Sequence, residues 1–424
     1  MPFYSYIFLV FYSLVLLLFV YKISFFESSL LNKKQITGIL SLKIFIGVFY
    51  IFVHKTLLSG GDIFMYFKDA ETVHQTLFQN PVSYFKLVFM PNNVAIAPEL
   101  SEAINAMGFW GDTGAYMMVR FNAIIRLISF GNIYIHGVFS AFFSFIGCYL
   151  IARVFAKNVR SNKWVSYSVF LFPSLLFWTS GLHKEFVSVL ALGLILYHFF
   201  ELTHQINRPK HIFWFIIGLI LFFFTRNYML LALIPSLMAF TLYKVFKIRF
   251  RRAVFFCLVL FISFLTYQKI PGYNKTGFEV VLEKRNQFED LNQGTTSIKL
   301  EKIEPNFVSL MQNSPKALYN TLLRPLLFDF NFSEFLFIAS LENILILSLL
   351  IFALINFHKL KTNESNFVVF MALYSISLLL IIGWIVPNVG AILRYRSTAL
   401  VVLIPTLVFV ASKSNLFKKY FSKY

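Results

Sequence analysis

The stretch FPSLLFWTSGLHKEFVSVLALGLIL, residues 172–196, joins two apolar runs through the tripeptide His183, Lys184 and Glu185. Each run is long enough to enter a bilayer, so these ionisable side chains fall where two apolar helices meet. Such a residue at membrane depth costs about 2.5–3.5 kcal/mol on insertion scales, and side chains kept there against that cost read as functional.

The surroundings of this stretch fix the class. Of the 424 residues, 58% are hydrophobic and 13% charged, against about 25% charged in a soluble globular chain. The composition excludes a soluble enzyme and reads as one integral membrane domain, residues 1–424, of the all-α polytopic class. A net charge of +19 in a soluble domain points to nucleic acid. In a membrane protein the same excess belongs to basic cytoplasmic loops, so no nucleic-acid partner is expected. Cys148 and Cys257 both lie inside apolar runs, which leaves no disulfide framework, metal-knuckle spacing or redox motif. The first apolar run, residues 3–20, lacks a basic start and a small-residue cleavage site and reads as a retained helix.

Hydropathy places about eleven spans, near 3–23, 38–56, 133–155, 164–181, 185–202, 212–225, 228–245, 253–269, 334–357, 366–386 and 398–412. Basic residues collect at alternate connections: Lys33 and Lys34; Arg153, Lys157, Arg160 and Lys163; Arg208 and Lys210; Lys244, Lys247, Arg249, Arg251 and Arg252; Lys359 and Lys361; then Lys413, Lys418, Lys419 and Lys423. By the positive-inside rule this puts the N-terminus outside and the C-terminus inside. Of the 19 acidic residues, only Glu27, Glu201 and Glu364 then fall on the cytoplasmic side, so any chemistry is expected on the outer face. Two long extracytoplasmic loops remain, 57–132 and 270–332. Each carries an interfacial helix signal, AYMMVRFNAIIRLISF (115–130) with Arg120 and Arg126 in the first and ALYNTLLRPLLFDF (317–330) in the second.

On this topology five polar clusters reach the outer boundary: GGDIFMYFKDAE (60–71), HKE (183–185), TRNY (225–228), LLRP (322–325) and RYR (394–396). If 60–71 is helical, Asp62, Tyr66 and Asp69 share one face, a spacing that suits a general base or a metal site and equally suits a solvated first turn. Asp62, Asp69 and Glu185 are the candidate catalytic acids. Lys184, Arg226, Arg324, Arg394 and Arg396 are candidate phosphate ligands, since guanidinium and ammonium groups at a membrane edge neutralise phosphate. Tyr66 and His183 complete the candidate substrate-binding set. Glu342, some two turns into the ninth span, is expected to be protonated, paired or turned to a cavity. His54 and Lys55 read as interfacial anchors. No Gly-rich phosphate loop, HExxH or Gly-x-Ser-x-Gly elbow is present.

GGDIFMYFKDA, FPSLLFWTSGLHKE and NVGAILRYRS together resemble bacterial polysaccharide-assembly membrane proteins of the EpsG/Wzy-like polymerase group, related in architecture to GT-C glycosyltransferases. The likeness runs over residues 60–228 and 387–397. It implies a multi-pass protein of the bacterial cytoplasmic membrane, acting at the extracytoplasmic face on polyprenyl-phosphate- or pyrophosphate-linked sugars, beside other polysaccharide-assembly proteins. On the resemblance, Asp62 and Lys184 with Glu185 match catalytic positions, and Arg394 and Arg396 match a terminal arginine motif. The first outer loop lacks the adjacent acidic pair of many GT-C enzymes, which leaves the base, and whether a divalent metal takes part, open. The rival readings are a transporter or flippase of lipid-linked glycans, a membrane acyltransferase using His183, and a structural subunit of an envelope complex.

Overall fold

Long runs of Leu, Ile, Phe and Val with few charges have one way to satisfy their backbone in lipid, which is the helix. Among the described residues the computed structural model is accordingly helical in its regular structure, apart from a two-stranded antiparallel ladder pairing Lys269–Ile270 with Lys275–Thr276 and a single bridge between Ser297 and Asn388. It describes the chain outside residues 1–3, 28–29, 58–59, 93–97, 160, 205–207, 271–273, 291–295, 330–333 and 422–424. Arg160 and Lys423 of the basic clusters lie outside the described residues.

In chain order the helices are α1 (Tyr4–Lys22), α2 (Lys33–Thr56), α3 (Asp62–Gln79), α4 (Pro81–Phe89), α5 (Ser101–Asn105), α6 (Thr113–Ser129) and α7 (Ile133–Asn158). There follow α8 (Lys163–Leu171), α9 (Pro173–Ser180), α10 (Lys184–His204), α11 (Pro209–Lys244) and α12 (Phe250–Tyr267). The last are α13 (Gly277–Glu289), α14 (Phe307–Leu322), α15 (Glu334–Asn356), α16 (Thr362–Ile385), α17 (Val389–Tyr395), α18 (Ser397–Ala411) and α19 (Asn415–Phe421).

Among the described residues, 8 helices are long and apolar enough to cross a membrane, or 9 if α17 and α18, bent by 60° at Arg396, count as one span. This differs from the eleven spans of the hydropathy reading in two places. The span at 164–181 is two short helices, because Phe172 is extended (ψ 128°) ahead of Pro173, and proline disfavours helical geometry in the residue before it. The spans at 212–225 and 228–245 count once, as α11 of 36 residues, but they are two helical stretches meeting at a kink at Arg226, whose backbone leaves the helical region (φ −155°, ψ 80°).

Two compact units divide the chain. The first comprises Met1–Arg153, Leu175–Phe199 and Pro209–Asn227. Within it α3 lies along α6, with α4 against both, and α1 lies along α2. Small residues let backbones meet: a Cβ on Gly47 of α2 would stand 2.8 Å from the carbonyl of Gly137 on α7, the close approach by which helices associate where lipid removes the hydrophobic drive. The face of α6 carrying Ala115, Tyr116, Val119, Asn122 and Ala123 is buried, as its 3.6-residue spacing requires.

The second unit comprises Val154–Ser174, Phe200–Arg208 and Tyr228–Tyr424. Here α14 packs on α16, α18 lies against α8, α15 and α16, and α13 lies on α16. Ile298 donates its N–H to the Pro387 carbonyl at 2.8 Å, and Thr296 Oγ1 donates to Asn388 Oδ1 at 3.1 Å, tying the second long loop to the PNVG turn. The three acids read as cytoplasmic each find a lysine read on the same side: Glu27 with Lys33 at 2.9 Å, Glu201 with Lys157 at 2.5 Å and Glu364 with Lys413 at 2.6 Å.

Candidate functional site

The turn that opened the sequence reading is short. Helix α9 ends at Ser180, His183 N–H donates to the Gly181 carbonyl at 2.9 Å, and α10 begins at Lys184. Glu185 therefore sits in the first turn of α10, where the helix dipole favours a carboxylate. It is fully buried, and a buried carboxylate needs a partner. Arg226, itself buried, supplies it: its Nη2 donates to Glu185 Oε1. The second oxygen, Oε2, faces His183 Nδ1 at 3.8 Å, close enough for an ion pair when the imidazole is protonated.

The break in α11 belongs to this arrangement. Arg226 leaves helical geometry at the residue whose guanidinium reaches Glu185, and irregular backbone within a membrane span persists only where protein or a polar cavity surrounds it. Gly114, at the start of α6, fits against the neighbouring Thr225: a Cβ there would stand 2.8 Å from the Thr225 carbonyl and 3.2 Å from Lys184 Nζ.

Lys184 is part-buried and donates to Asp112 Oδ2 at 3.3 Å. Asp112 is the N-cap of α6, accepting from the Ala115 N–H at 3.0 Å through Oδ1. Burial pushes the Asp112 carboxyl up, but Lys184 and the Ala115 N–H outweigh it and hold the group below the ordinary aspartate value. Asp112 was not among the residues singled out in the sequence. Its signal was present as an aspartate directly before an apolar-periodic run, the pattern of an N-cap.

Around His183, which is buried, stand the rings of Tyr66 at 5.9 Å, Tyr50 at 6.2 Å and His54 at 6.3 Å between centroids. His54 stacks on Tyr50 at 4.1 Å and its Nδ1 donates to the Tyr50 carbonyl at 3.0 Å. It thus belongs to the wall of this site, beyond the anchoring role read from its position. Lys55, by contrast, is exposed.

The three residues placed on one face of α3 part company. The helix forms from Asp62, after Gly60 and Gly61 at φ 123° and 121°, a region closed to most side chains. Tyr66 and Asp69 are buried, whereas Asp62 is exposed at the first turn. Asp69 accepts from the Gly108 N–H at 3.2 Å through one oxygen and from the Phe109 N–H at 2.9 Å through the other. Both oxygens are thus engaged in holding the 108–109 turn. Among the described residues no three His, Cys, Asp or Glu side chains gather as a metal-holding set.

The remaining candidates lie in the second unit. Arg396 is fully buried, donating through Nη1 to the carbonyls of Thr321 at 2.9 Å and Arg324 at 3.4 Å, and through Nη2 to Asn343 Oδ1 at 2.7 Å. Asn343 Nδ2 in turn donates to the carbonyls of Leu323 at 3.1 Å and Pro325 at 2.9 Å. Arg396 therefore spends its planar fork on the end of α14, the Arg324 carbonyl and Asn343. Arg324 pairs with Asp329 at 3.3 Å. Arg394 points elsewhere, donating to Tyr395 Oη at 3.1 Å, with Phe288 of α13 packed on the Tyr395 ring. Glu342 is buried, with Oε2 accepting from the Ser174 N–H at 2.8 Å.

No family model, curated protein or solved structure matches the chain.

Proposed function

We propose that the chain is a membrane-embedded glycosyltransferase or polysaccharide polymerase, taking sugar from a polyprenyl-phosphate or -pyrophosphate lipid at the outer face of the bacterial cytoplasmic membrane. The observation that carries this reading is the buried set of His183, Glu185 and Arg226, with Lys184 and Asp112 beside it. It offers both functions a glycosyl transfer needs. His183, backed by Glu185, takes the proton of the acceptor hydroxyl as the new glycosidic bond forms. Lys184 and Arg226 neutralise the phosphate that leaves with the lipid as the sugar–phosphate bond breaks. Asp62, exposed at the start of α3, remains the alternative base. The aromatic wall of Tyr50 and Tyr66 suits a sugar ring.

Deletion of the gene, followed by comparison of lipid-linked and surface glycans, tests this. Accumulation of single-unit lipid-linked glycan, relieved by wild type but not by Glu185→Gln or His183→Asn expressed at the same level, is the expected result. Unchanged glycans in the deletion strain would sink the reading.

A second reading, translocation of the lipid-linked glycan, is favoured by two broken helices, α11 at Arg226 and the α17–α18 bend at Arg396. Discontinuous helices are a habit of transporters. It predicts lipid-linked glycan trapped on the cytoplasmic side of vesicles, where transfer predicts it on the outer side.

A further inference from the structure

A second feature of the first unit has no part in the constellation around Glu185. One face of α3 carries Tyr66 and Asp69, buried beside His183 and the 108–109 turn. The adjoining face carries Phe67, Glu71, His74 and Phe78. There a cavity of about 490 Å³ is lined by His74, Leu77, Phe78, Arg126, Leu127 and Phe130, with Gly131.

Its wall is apolar at the mouth and polar at the floor. Phe78 is 79% exposed, and Leu127 and Phe130 are also exposed. Neither α3 nor α6 is among the helices fit to cross a membrane, and the α6 stretch reads from its sequence as lying in the interface. The N-terminal half of α1 borders it: Phe8 stacks on Phe130 at 4.5 Å and Tyr12 Oη donates to the Ile128 carbonyl at 3.0 Å. At the floor, Arg126 lies over the Phe67 ring at 4.6 Å and pairs through Nη2 with Glu71 at 2.7 Å. Arg126 Nη1 and His74 Nδ1 are both buried and make no hydrogen bond among the described residues. An unsatisfied guanidinium N–H away from water is costly, by about 1–3 kcal/mol, unless something external meets it.

We infer that this cavity binds the phosphate of a membrane-resident lipid, its head against Arg126 and His74 and its hydrocarbon along Phe78, Leu127 and Phe130. Glu71 takes the Nη2 side of the guanidinium, which leaves Nη1 for a phosphate oxygen, a charge-assisted bond that a monoester or a diester can accept. Burial and the charge of Arg126 hold His74 below its ordinary value, leaving it neutral at pH 7 and able to donate from one ring nitrogen. Two lipids present that chemistry, a bilayer phosphodiester such as phosphatidylglycerol and a polyprenyl phosphate.

The test is native mass spectrometry of the full chain released from neutral detergent, with phosphatidylglycerol, undecaprenyl phosphate, diacylglycerol or inorganic phosphate added singly. Phosphate lipid is expected to be retained through collision energies that strip diacylglycerol, with retention at this cavity about tenfold lower in Arg126→Gln, the loss of roughly one charge-assisted bond. Phe78→Ser, at an exposed position that leaves folding intact, is expected to weaken retention as well. Retention of phosphatidylglycerol alone, of undecaprenyl phosphate alone, or of both supports the site and names its source. Equal retention by wild type and both variants, or displacement of the lipid by millimolar inorganic phosphate, overturns it. Retention at this cavity is read as the difference between wild type and Arg126→Gln, which does not depend on the proposed transfer site around Glu185.

Discussion

Glu185 and Arg226 form a buried ion pair whose cation comes from the residue at which helix α11 breaks. The pair and the break explain each other. The irregular backbone at Arg226 accompanies a guanidinium that compensates a carboxylate buried from solvent.

Removing one partner strands the other. Glu185→Ala and Arg226→Ala are each expected to lose about 3–5 kcal/mol of stability, read as a fall in melting temperature in detergent. The double variant Glu185→Gln with Arg226→Met is expected to recover much of that loss while remaining inactive in glycan assembly. A double variant no more stable than the singles would show that the pair does not act as a unit.

Asp69 is expected to separate stability from chemistry. Asp69→Ala leaves the N–H groups of Gly108 and Phe109 unmet and should cost about 1–3 kcal/mol. Asp69→Asn keeps an acceptor, so it should melt close to wild type and retain glycan output. Loss of output in a normally melting Asp69→Asn would make Asp69 a catalytic acid after all.

Asp112 gives a pH signature. Its carboxyl is held below the ordinary aspartate value in the folded chain, so the contribution is complete above about pH 4, the unfolded value. It is lost as pH falls through the lower folded value. Melting measured from pH 7 to pH 3 should show wild type more stable than Asp112→Asn at neutrality and the two converging at the acid end. Parallel curves throughout would mean that the charge on Asp112 contributes nothing.

Gly114→Ala tests the fit of α6 against the kink. The added methyl would meet the Thr225 carbonyl, which is backbone and cannot swing away. An overpacking cost of about 1–3 kcal/mol is expected, along with weaker glycan output, since Lys184 Nζ lies on the same side. Gly38→Ala, where nothing approaches within 4 Å, is the control and should leave both unchanged.

The two terminal arginines should part. Arg396→Lys loses the planar fork that holds the Thr321 and Arg324 carbonyls and Asn343, and a lysine cannot span them; a drop in melting temperature is expected. Arg394→Lys keeps a charge at a part-buried position and should melt as wild type does. Equal melting of both would contradict the clamp role of Arg396.

Composition and hydropathy alone determined that this chain is helical and apolar enough for a membrane, because lipid leaves the backbone no other partner than itself. They also located the polar turn at His183, Lys184 and Glu185, since charge between apolar runs is visible in one dimension. Tertiary structure decided how the charges are used. Asp62, Tyr66 and Asp69 share a helical spacing, but only packing against the 108–109 turn engaged Asp69 and left Asp62 exposed. Arg394 and Arg396 look alike in RYR, but residues two apart diverge on a helix, and Arg396, at the bend between α17 and α18, meets the carbonyls of Thr321 and Arg324 and the side chain of Asn343. Arg226 appeared in the sequence as the joint between two apolar runs, and in the structure it is the kink between the two halves of α11; that it meets the buried Glu185 was decided by packing. Hydropathy averages over neighbours along the chain; which acid meets which base depends on contacts 41 residues apart for Arg226 and Glu185 and 72 apart for Lys184 and Asp112.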